Sequence, residues 1–408
     1  MSDGAASDAT AAGLPLSGVR VLDLGTRVAA PFAATLLADF GAEVIKVELP
    51  ETGDFMRSIG PFDDGYSLWW AVEGRNKKSI TLDLRQARGQ ELLKRLVAVS
   101  DVVVENFQPG TLETWGLDYD SLRATNPDLI LTRASVFGQT GPYRDRPGLD
   151  RIGIGFGGLL HITGYPDQPP VRPGVIISDY LTGVFNAFAI MVALYHRAVH
   201  RGGGQWVDLA LYESVFRILE HTVVAYDRLG TVRQREGNRL SNSAPLDNWE
   251  TSDGQFVCIV AAGDGLFSRL AKAMERADLL TDPRFASLQA RVAHADAINT
   301  IVADWVKQRS AADVERILIA AQVPVTRVYS IADIFADPHY EARNDIVEVD
   351  DPSIGPIRMQ SVYPRLSRTP GSIRRGAPRL GEHNLEVYSS LLGLSESEIE
   401  ALRRDGVI

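Results

Sequence analysis

Residues 19–48 read VRVLDLGTRVAAPFAATLLADFGAEVIKVE. The opening VRVLDLG alternates as a strand does, PFAATLLADFG is a helix with Pro31 in its first turn and Gly41 at its end, and EVIKVE is a second strand. Strand, helix and strand within about 30 residues form a βαβ unit, which requires parallel pairing and a right-handed crossover. A parallel sheet in turn places ligands on the loops that follow its strands. The first such loop is GTRVAAP, in which Arg27 suits a phosphate contact and a solvated surface position equally. Glu48 follows Gly25 at about the spacing of a ribose-binding acid, but the loop lacks GxGxxG. A dinucleotide-binding oxidoreductase is therefore the weaker alternative.

Two further cycles extend the sheet. RNKKSITLDLR leads into a strand, ARGQELLKRLVAVS into a helix, and DVVVEN into a strand ending at Asn106; a helix over ETWGLDYDSLRATN then precedes the strand LILTRASVFG. The loops GTRVAAP, ENFQPG and GQTGPY should share one edge of the sheet and form one site. Arg75, Lys77, Lys78 and Arg85 concentrate positive charge that is either a solvated face or the lining of an anion pocket. The glycines of LDRIGIGFGG fit no phosphate-loop pattern, and His161 reads as a structural histidine.

Residues 175–196, VIISDYLTGVFNAFAIMVALYH, set a single carboxylate, Asp179, at the start of a long apolar segment. An Asp just before a helix is a favoured N-cap, and that is the first reading of the residue types. The second is that the partial positive charge of the helix end holds the carboxylate ionised at a glycine-lined surface, where it can attack an electrophile. The uncharged run from Tyr180 to Tyr195 is shorter than the roughly 20 residues of a membrane span and contains Asn186, so a core helix is expected rather than a membrane contact.

The chain has 408 residues, enough for two domains, and its formal charge of −10 argues against nucleic-acid binding. One cysteine, Cys258, within FVCIV, cannot form an internal disulfide and is expected to be buried, which fits a cytoplasmic setting. Residues 1–14 are expected to form a disordered tail and 15–225 a large domain. The charged stretch 226–240 reads as a linker, 241–328 as a small α+β domain, and 329–408 as a return segment completing the large one. No metal-spaced Cys/His set and no Ser-His-Asp motif is present.

LSGVRVLDLGTRVAAPFAATLLADFGAEVIKVE, NKKSITLDL, VVVENFQPG, SDYLTG, RLGEHN and the terminal GVI together resemble the class III CoA-transferases. That group includes formyl-CoA transferase, carnitine CoA-transferase and the alpha-methylacyl-CoA racemases. The resemblance implies an α/β fold with a large Rossmann-like domain, a smaller α+β domain and an interlocked homodimer. It also implies CoA transfer from an acyl-CoA, such as succinyl-CoA, to a small carboxylic acid. Malate, citramalate, glutarate and itaconate are acceptors by analogy, and no tightly bound cofactor is expected.

In such enzymes the carboxylate of the SDYLTG-type motif, here Asp179, attacks the thioester to give a mixed anhydride and then an aspartyl-CoA thioester. Glycines around Gly157 and Gly158 are expected near the oxyanions. The resemblance places CoA at Val28 and Ala29, at Leu49, at Leu82 and Arg85, at Asn106, Phe107 and Gln108, and at Phe137, Gly138, Gln139 and Thr140, and Arg27 of the first loop is expected beside them. Arg85 is the expected phosphate partner. Thr114 replaces a residue that is often basic in the group, and the glycine-run loop of formyl-CoA transferase is missing, so oxalate and formate are disfavoured. The racemase alternative pairs the same aspartate with a histidine, and Leu149 stands in that histidine's place.

Overall fold

The computed structural model describes residues 13–408. The expected tail lies outside them except for Gly13 and Leu14, and Leu14 is not loose: its carbonyl accepts from Ser17 N–H at 3.1 Å. The described residues form two compact units, one of 13–159 with 173–223 and 342–408, the other of 160–172 and 224–341.

The first unit is built on six strands: β1 (Arg20–Asp23), β2 (Glu43–Glu48), β3 (Lys77–Thr81), β4 (Val102–Glu105), β5 (Ile130–Ser135) and β6 (Trp206–Ala210). Their order is β3-β2-β1-β4-β5-β6, and every neighbouring pair is parallel. The chain winds outward from β1 to β3 and then crosses back to β4. The crevice beyond the carboxyl ends of β1 and β4 is thus a topological switch point, where ligands of open α/β sheets bind.

Strand alternation sorts the core into two layers. Leu22, Ile45, Ile80, Val103 and Leu131 face Leu92, Leu93 and Leu96 of the helix Ala87–Val97. Val21, Val44, Val102, Val104 and Ile130 face helix α1 (Ala29–Asp39) and Ile190, Ala193 and Leu194. Those last three belong to a helix of 24 residues, Ile177–His200, longer than the uncharged run that announces it. By length and composition it could cross a membrane. Its inner face nevertheless lies on the sheet, and only its outer face, with Val184, Phe188, Met191, Val192, Tyr195 and Val199, is exposed.

RLGEHN finishes the sheet's edge. Asn384 Oδ1 accepts from Thr81 N–H at 2.8 Å and His383 Nδ1 from Ser79 N–H at 3.1 Å, so side chains satisfy donors that edge strand β3 would otherwise leave open. Burial and the neighbouring Arg375 push His383 down to about 4, which keeps the accepting nitrogen free of a proton. At the terminus, Val407 O accepts from Asp83 N–H at 2.8 Å and anchors the loop that carries Arg85.

The second unit has an antiparallel three-stranded sheet, Leu246–Glu250, Phe256–Val260 and Val325–Arg327, with Phe256–Val260 in the middle. Val257 and Ile259 point into a core with Trp249, Phe267, Ile298 and Trp305. Cys258, between them, faces the other way and is only half-buried, contrary to expectation.

Candidate functional site at the switch point

Asn106, at the end of β4, ties the two switch-point loops together. Its Oδ1 accepts from Thr26 N–H at 2.8 Å and its Nδ2 donates to Thr26 O at 2.7 Å. On one side lies a cavity of about 230 Å³ lined by Thr26–Ala29, Asn106–Pro109, Ala134–Val136, Arg144, Arg146–Leu149, Asp179 and Leu211. On the other lies a cavity of about 310 Å³ whose lining includes Leu49, Leu82, Leu84 and Arg85. Thr26 and Phe107 belong to both, so the cavities adjoin.

The expected residues divide accordingly. Asp179, Arg27, Val28, Ala29, Asn106, Phe107 and Gln108 come together around the first cavity, and Leu49, Leu82, Arg85 and again Phe107 around the second. Phe137, Gly138, Gln139 and Thr140 line neither cavity. The Asp208 carboxylate on β6 holds Gln139 N–H at 2.9 Å, and Phe137 packs edge-on to Tyr143 and Phe156 with centroids 6.1 and 5.2 Å away. The loop after β5 therefore turns toward β6, and Arg144, Arg146 and Leu149 reach the cavity in place of 137–140.

The cationic cluster is also not what its charge suggests. Arg75 pairs with Asp39 at 2.6 Å, Lys77 with Asp23 at 2.9 Å, and Lys78 with Glu43 and Glu386 at 2.8 Å. Of these four only Arg85 reaches a cavity, and Asp83 grips its guanidinium at 2.7 and 2.9 Å. Glu48 is buried and bound by Arg57 at 2.7 Å and by Ser79 Oγ at 2.6 Å, leaving no free carboxylate for a ribose.

Asp179 is not an N-cap. It is the third residue of its helix, and Ile176 before that helix offers no side-chain cap. The cap comes from Asp150, on the short helix Asp150–Phe156: its Oδ1 accepts from Ser178 N–H at 2.8 Å, from Ser178 Oγ at 2.9 Å and, at 3.4 Å, from Asp179 N–H. Gly153 makes that approach possible, because a Cβ there would lie 2.9 Å from Ser178 Oγ and 3.1 Å from Leu211 Cβ. Gly157 and Gly158 line neither cavity; a Cβ on Gly157 would strike Tyr212 O and Val215, so it serves packing.

With the cap supplied elsewhere, the Asp179 carboxylate has no hydrogen-bonding partner among the described residues and faces the cavity. Burial, and next the nearby Asp150, push it up to about 7, while Arg27 pulls the other way. Desolvation thus outweighs the helix end, which was expected to hold the group ionised. At neutral pH it is poised between carboxylate and acid.

Arg27 is itself held. Its backbone is left-handed, with φ of 65°, its N–H donates to Asp54 Oδ1 at 3.1 Å, and its guanidinium lies 3.8 Å over the Phe55 ring. Asp54 is locked from below by the fully buried Lys46 at 3.1 Å, which also donates to Gly25 O. None of Asp150, Asp54 or Lys46 stands out in sequence, since their partners Ser178, Arg27 and Gly25 lie 28, 27 and 21 positions away.

Chemically, the site offers an unpartnered carboxylate, a nearby guanidinium and the start of α1, which has no side-chain cap. The family model for CoA-transferase family III matches residues 16–384. The chain is 48% identical to a succinyl-CoA–D-citramalate CoA-transferase of Chloroflexus aurantiacus, over 97% of this chain and 98% of that one. It is 45% identical to the beta subunit of a succinyl-CoA–L-malate CoA-transferase of the same organism, over 98% and 100%. A solved CaiB/BaiF family protein from Brucella suis superposes with a TM-score of 0.83 at 36% identity, covering 93% of this chain and 99% of that one. The chain belongs to CoA-transferase family III.

Proposed function

We propose that this enzyme moves CoA from a dicarboxylyl-CoA such as succinyl-CoA to a small carboxylic acid of the malate or citramalate type, with Asp179 as the nucleophile. The names of the relatives support the substrate class. The observation that carries the role of Asp179 is its carboxylate, free of protein partners, in the cavity at the switch point.

In this reading the CoA moiety follows the Leu49, Leu82 and Arg85 side and enters the first cavity past Thr26 and Phe107. Asp179 attacks the thioester carbonyl, the C–S bond breaks, and the CoA thiolate leaves an acyl-aspartyl anhydride. The thiolate then attacks the Asp179 carbonyl and releases the donor's carboxylate, giving an aspartyl-CoA thioester. The acceptor carboxylate reverses both steps, and Asp179 is regenerated. Backbone N–H groups at the uncapped start of α1, beside Val28 and Ala29, are suited to the negative oxygen formed at each addition.

A racemase would need a second base opposite Asp179, and Leu149 in the same cavity carries no ionisable atom. We also propose a homodimer, of interlocked chains as the family resemblance implies, in which the exposed apolar stripe from Val184 to Val199 is covered.

Asp179→Asn tests the nucleophile. Transfer should fall by several orders of magnitude while CoA still binds, because an amide forms neither intermediate. Incubating the wild type with acyl-CoA and then hydroxylamine should modify the peptide bearing Asp179, as read by mass spectrometry. Near wild-type transfer by the variant would sink the assignment.

A further inference from the structure

The first cavity holds more positive charge than Asp179 needs. Arg27, Arg144 and Arg146 all line it in a protein of net charge −10. Arg144 and Arg146 are exposed at its mouth, where Arg144 pairs with Asp145 at 3.3 Å and Arg146 lies 3.5 Å over the Tyr143 ring. Arg27 is different. It is partly buried, and its guanidinium has no carboxylate or carbonyl partner among the described residues, only the face of Phe55 beneath it.

The Arg27 backbone is fixed in a conformation that arginine seldom adopts, by Asp54 on buried Lys46. A strained backbone, a stacked side chain and a charge with no hydrogen-bonded counter-ion are what a preorganised anion receptor requires. A second donor lies in the same lining: Ser135, at the end of β5, is 9% exposed, and its Oγ has no hydrogen-bond partner. A buried hydroxyl left unpaired in the protein gains by pairing with a ligand.

We propose that Arg27, assisted by the Ser135 hydroxyl, binds a free carboxylate at the far end of the acyl group, so that the site selects dicarboxylic acyl-CoA esters. This rests on the transferase reading and deepens it. Arg85, Arg144 and Arg146 are exposed and available to CoA's phosphates, whereas Arg27 is partly buried and near enough to Asp179 to pull on its proton. The planar guanidinium fork pairs with a carboxylate through two parallel hydrogen bonds, which a terminal methyl group cannot accept. The same charge favours the ionised form of Asp179, so the residue that reads the substrate also readies the nucleophile.

The test is binding without turnover. On an Asp179→Asn background, calorimetric titration with succinyl-CoA, butyryl-CoA and free CoA gives the preference for the diacid ester over its methyl-ended counterpart. Adding Arg27→Gln should lower that preference about 10- to 100-fold, the cost of losing hydrogen bonds to a charged group. Arg27→Lys should retain part of it, and Ser135→Ala should lower it less.

If Arg27→Gln weakens both esters and free CoA equally, Arg27 meets CoA itself; the inference fails and the transferase reading stands. An unchanged preference in both Arg27→Gln and Ser135→Ala also overturns the inference. If neither the Asp179→Asn protein nor the wild type binds any CoA ester, the transferase reading falls and the inference with it.

Discussion

The Oδ1 of Asp150 lies 2.8 Å from Ser178 N and 3.4 Å from Asp179 N, so one carboxylate closes the helix end and leaves its neighbour open to the cavity. The two acids share the helix start but divide its roles. Because Asp150 also repels charge on Asp179, substituting it alters chemistry without touching the nucleophile. Transfer by the wild type should rise with pH through about 7 as Asp179 ionises. Asp150→Asn keeps an accepting oxygen and removes the negative charge, so the rise should move to lower pH. Asp150→Ala should in addition lose about 1 kcal/mol of stability with the cap. A kcat/KM profile from pH 5 to 9 and a melting curve separate the two effects; identical profiles for wild type and Asp150→Asn would refute the coupling.

Asp179 also sets the sign of a stability change. Its folded-state pKa of about 7 lies above the ordinary carboxylate value, so between roughly pH 4 and 7 the folded chain binds this proton and the unfolded chain does not. The contribution of this group therefore falls as pH rises through that window. Asp179→Asn removes the fall, and Asn need not act as a cap, since Asp150 does. At pH 8 the variant should be more stable than the wild type by about 1–2 kcal/mol, with the gain gone near pH 4. Urea denaturation at the two pH values measures it, and a less stable variant at pH 8 would contradict the burial argument.

What could be read from sequence followed its range. The βαβ pattern at 19–48, with strands announced by period-two alternation and helices by local caps, led to the parallel sheet, and a parallel sheet fixes which edge carries the site. Periodicity led to the loops at the strand ends, while Val28, Ala29 and Asn106 as contacts and Asp179 as nucleophile were what the family resemblance implied. The Asp179 cap was misjudged because its partner is distant: nothing in LDRIG shows that Asp150 meets Ser178. Lys77 read as a solvated charge or an anion-pocket lining, and is neither, because its partner Asp23 lies 54 positions earlier. The Asp208 carboxylate that ties the Phe137–Thr140 loop to β6 is likewise invisible in sequence, 69 positions from Gln139.

Arg85 presents a pre-aligned guanidinium. Asp83 holds two of its nitrogens, and the side chain is 65% exposed at the rim of the second cavity. If it meets a CoA phosphate, that contact is the same in ground and transition states. Arg85→Ala should then raise KM for acyl-CoA several-fold and leave kcat nearly unchanged. The effect should shrink at high salt, which screens an exposed pair. Steady-state kinetics at low and high ionic strength decide it, and an unaltered KM would make Arg85 a surface charge.

The outer face of the helix Ile177–His200 gives a test of assembly. Phe188 is 65% exposed, and Val184, Met191, Val192 and Tyr195 lie within about two turns of it on the exposed side. An apolar stripe of this length is covered in a stable protein. Phe188→Glu should shift sedimentation of the protein at micromolar concentration toward monomer, with far-ultraviolet circular dichroism retained. A wild type that sediments as a monomer would refute the dimer outright.

Beneath the loop that carries Arg27, Asp54 acts both as a charge and as a hydrogen-bond acceptor. Its carboxylate is paired with buried Lys46 at 3.1 Å, while Oδ1 takes N–H donors from Met56 at 2.8 Å and Arg27 at 3.1 Å. Asp54→Asn keeps an acceptor but leaves Lys46 with Gly25 O and, as its remaining ion pair, Asp23 at 3.6 Å. Breaking a buried pair from one side costs about 3–5 kcal/mol, and Lys46 keeps Gly25 O and Asp23, so a loss near the lower end is expected. The left-handed turn at Arg27 should survive, and with it the preference for succinyl-CoA over butyryl-CoA. Asp54→Ala removes the acceptor as well, so the turn is free to relax and the guanidinium to leave its place over Phe55. That variant should lose both stability and preference. Urea denaturation and paired kcat/KM measurements with the two esters distinguish these cases: equal loss of preference in Asn and Ala variants would show that the charge of Asp54, and not its grip on the Arg27 backbone, sets the receptor.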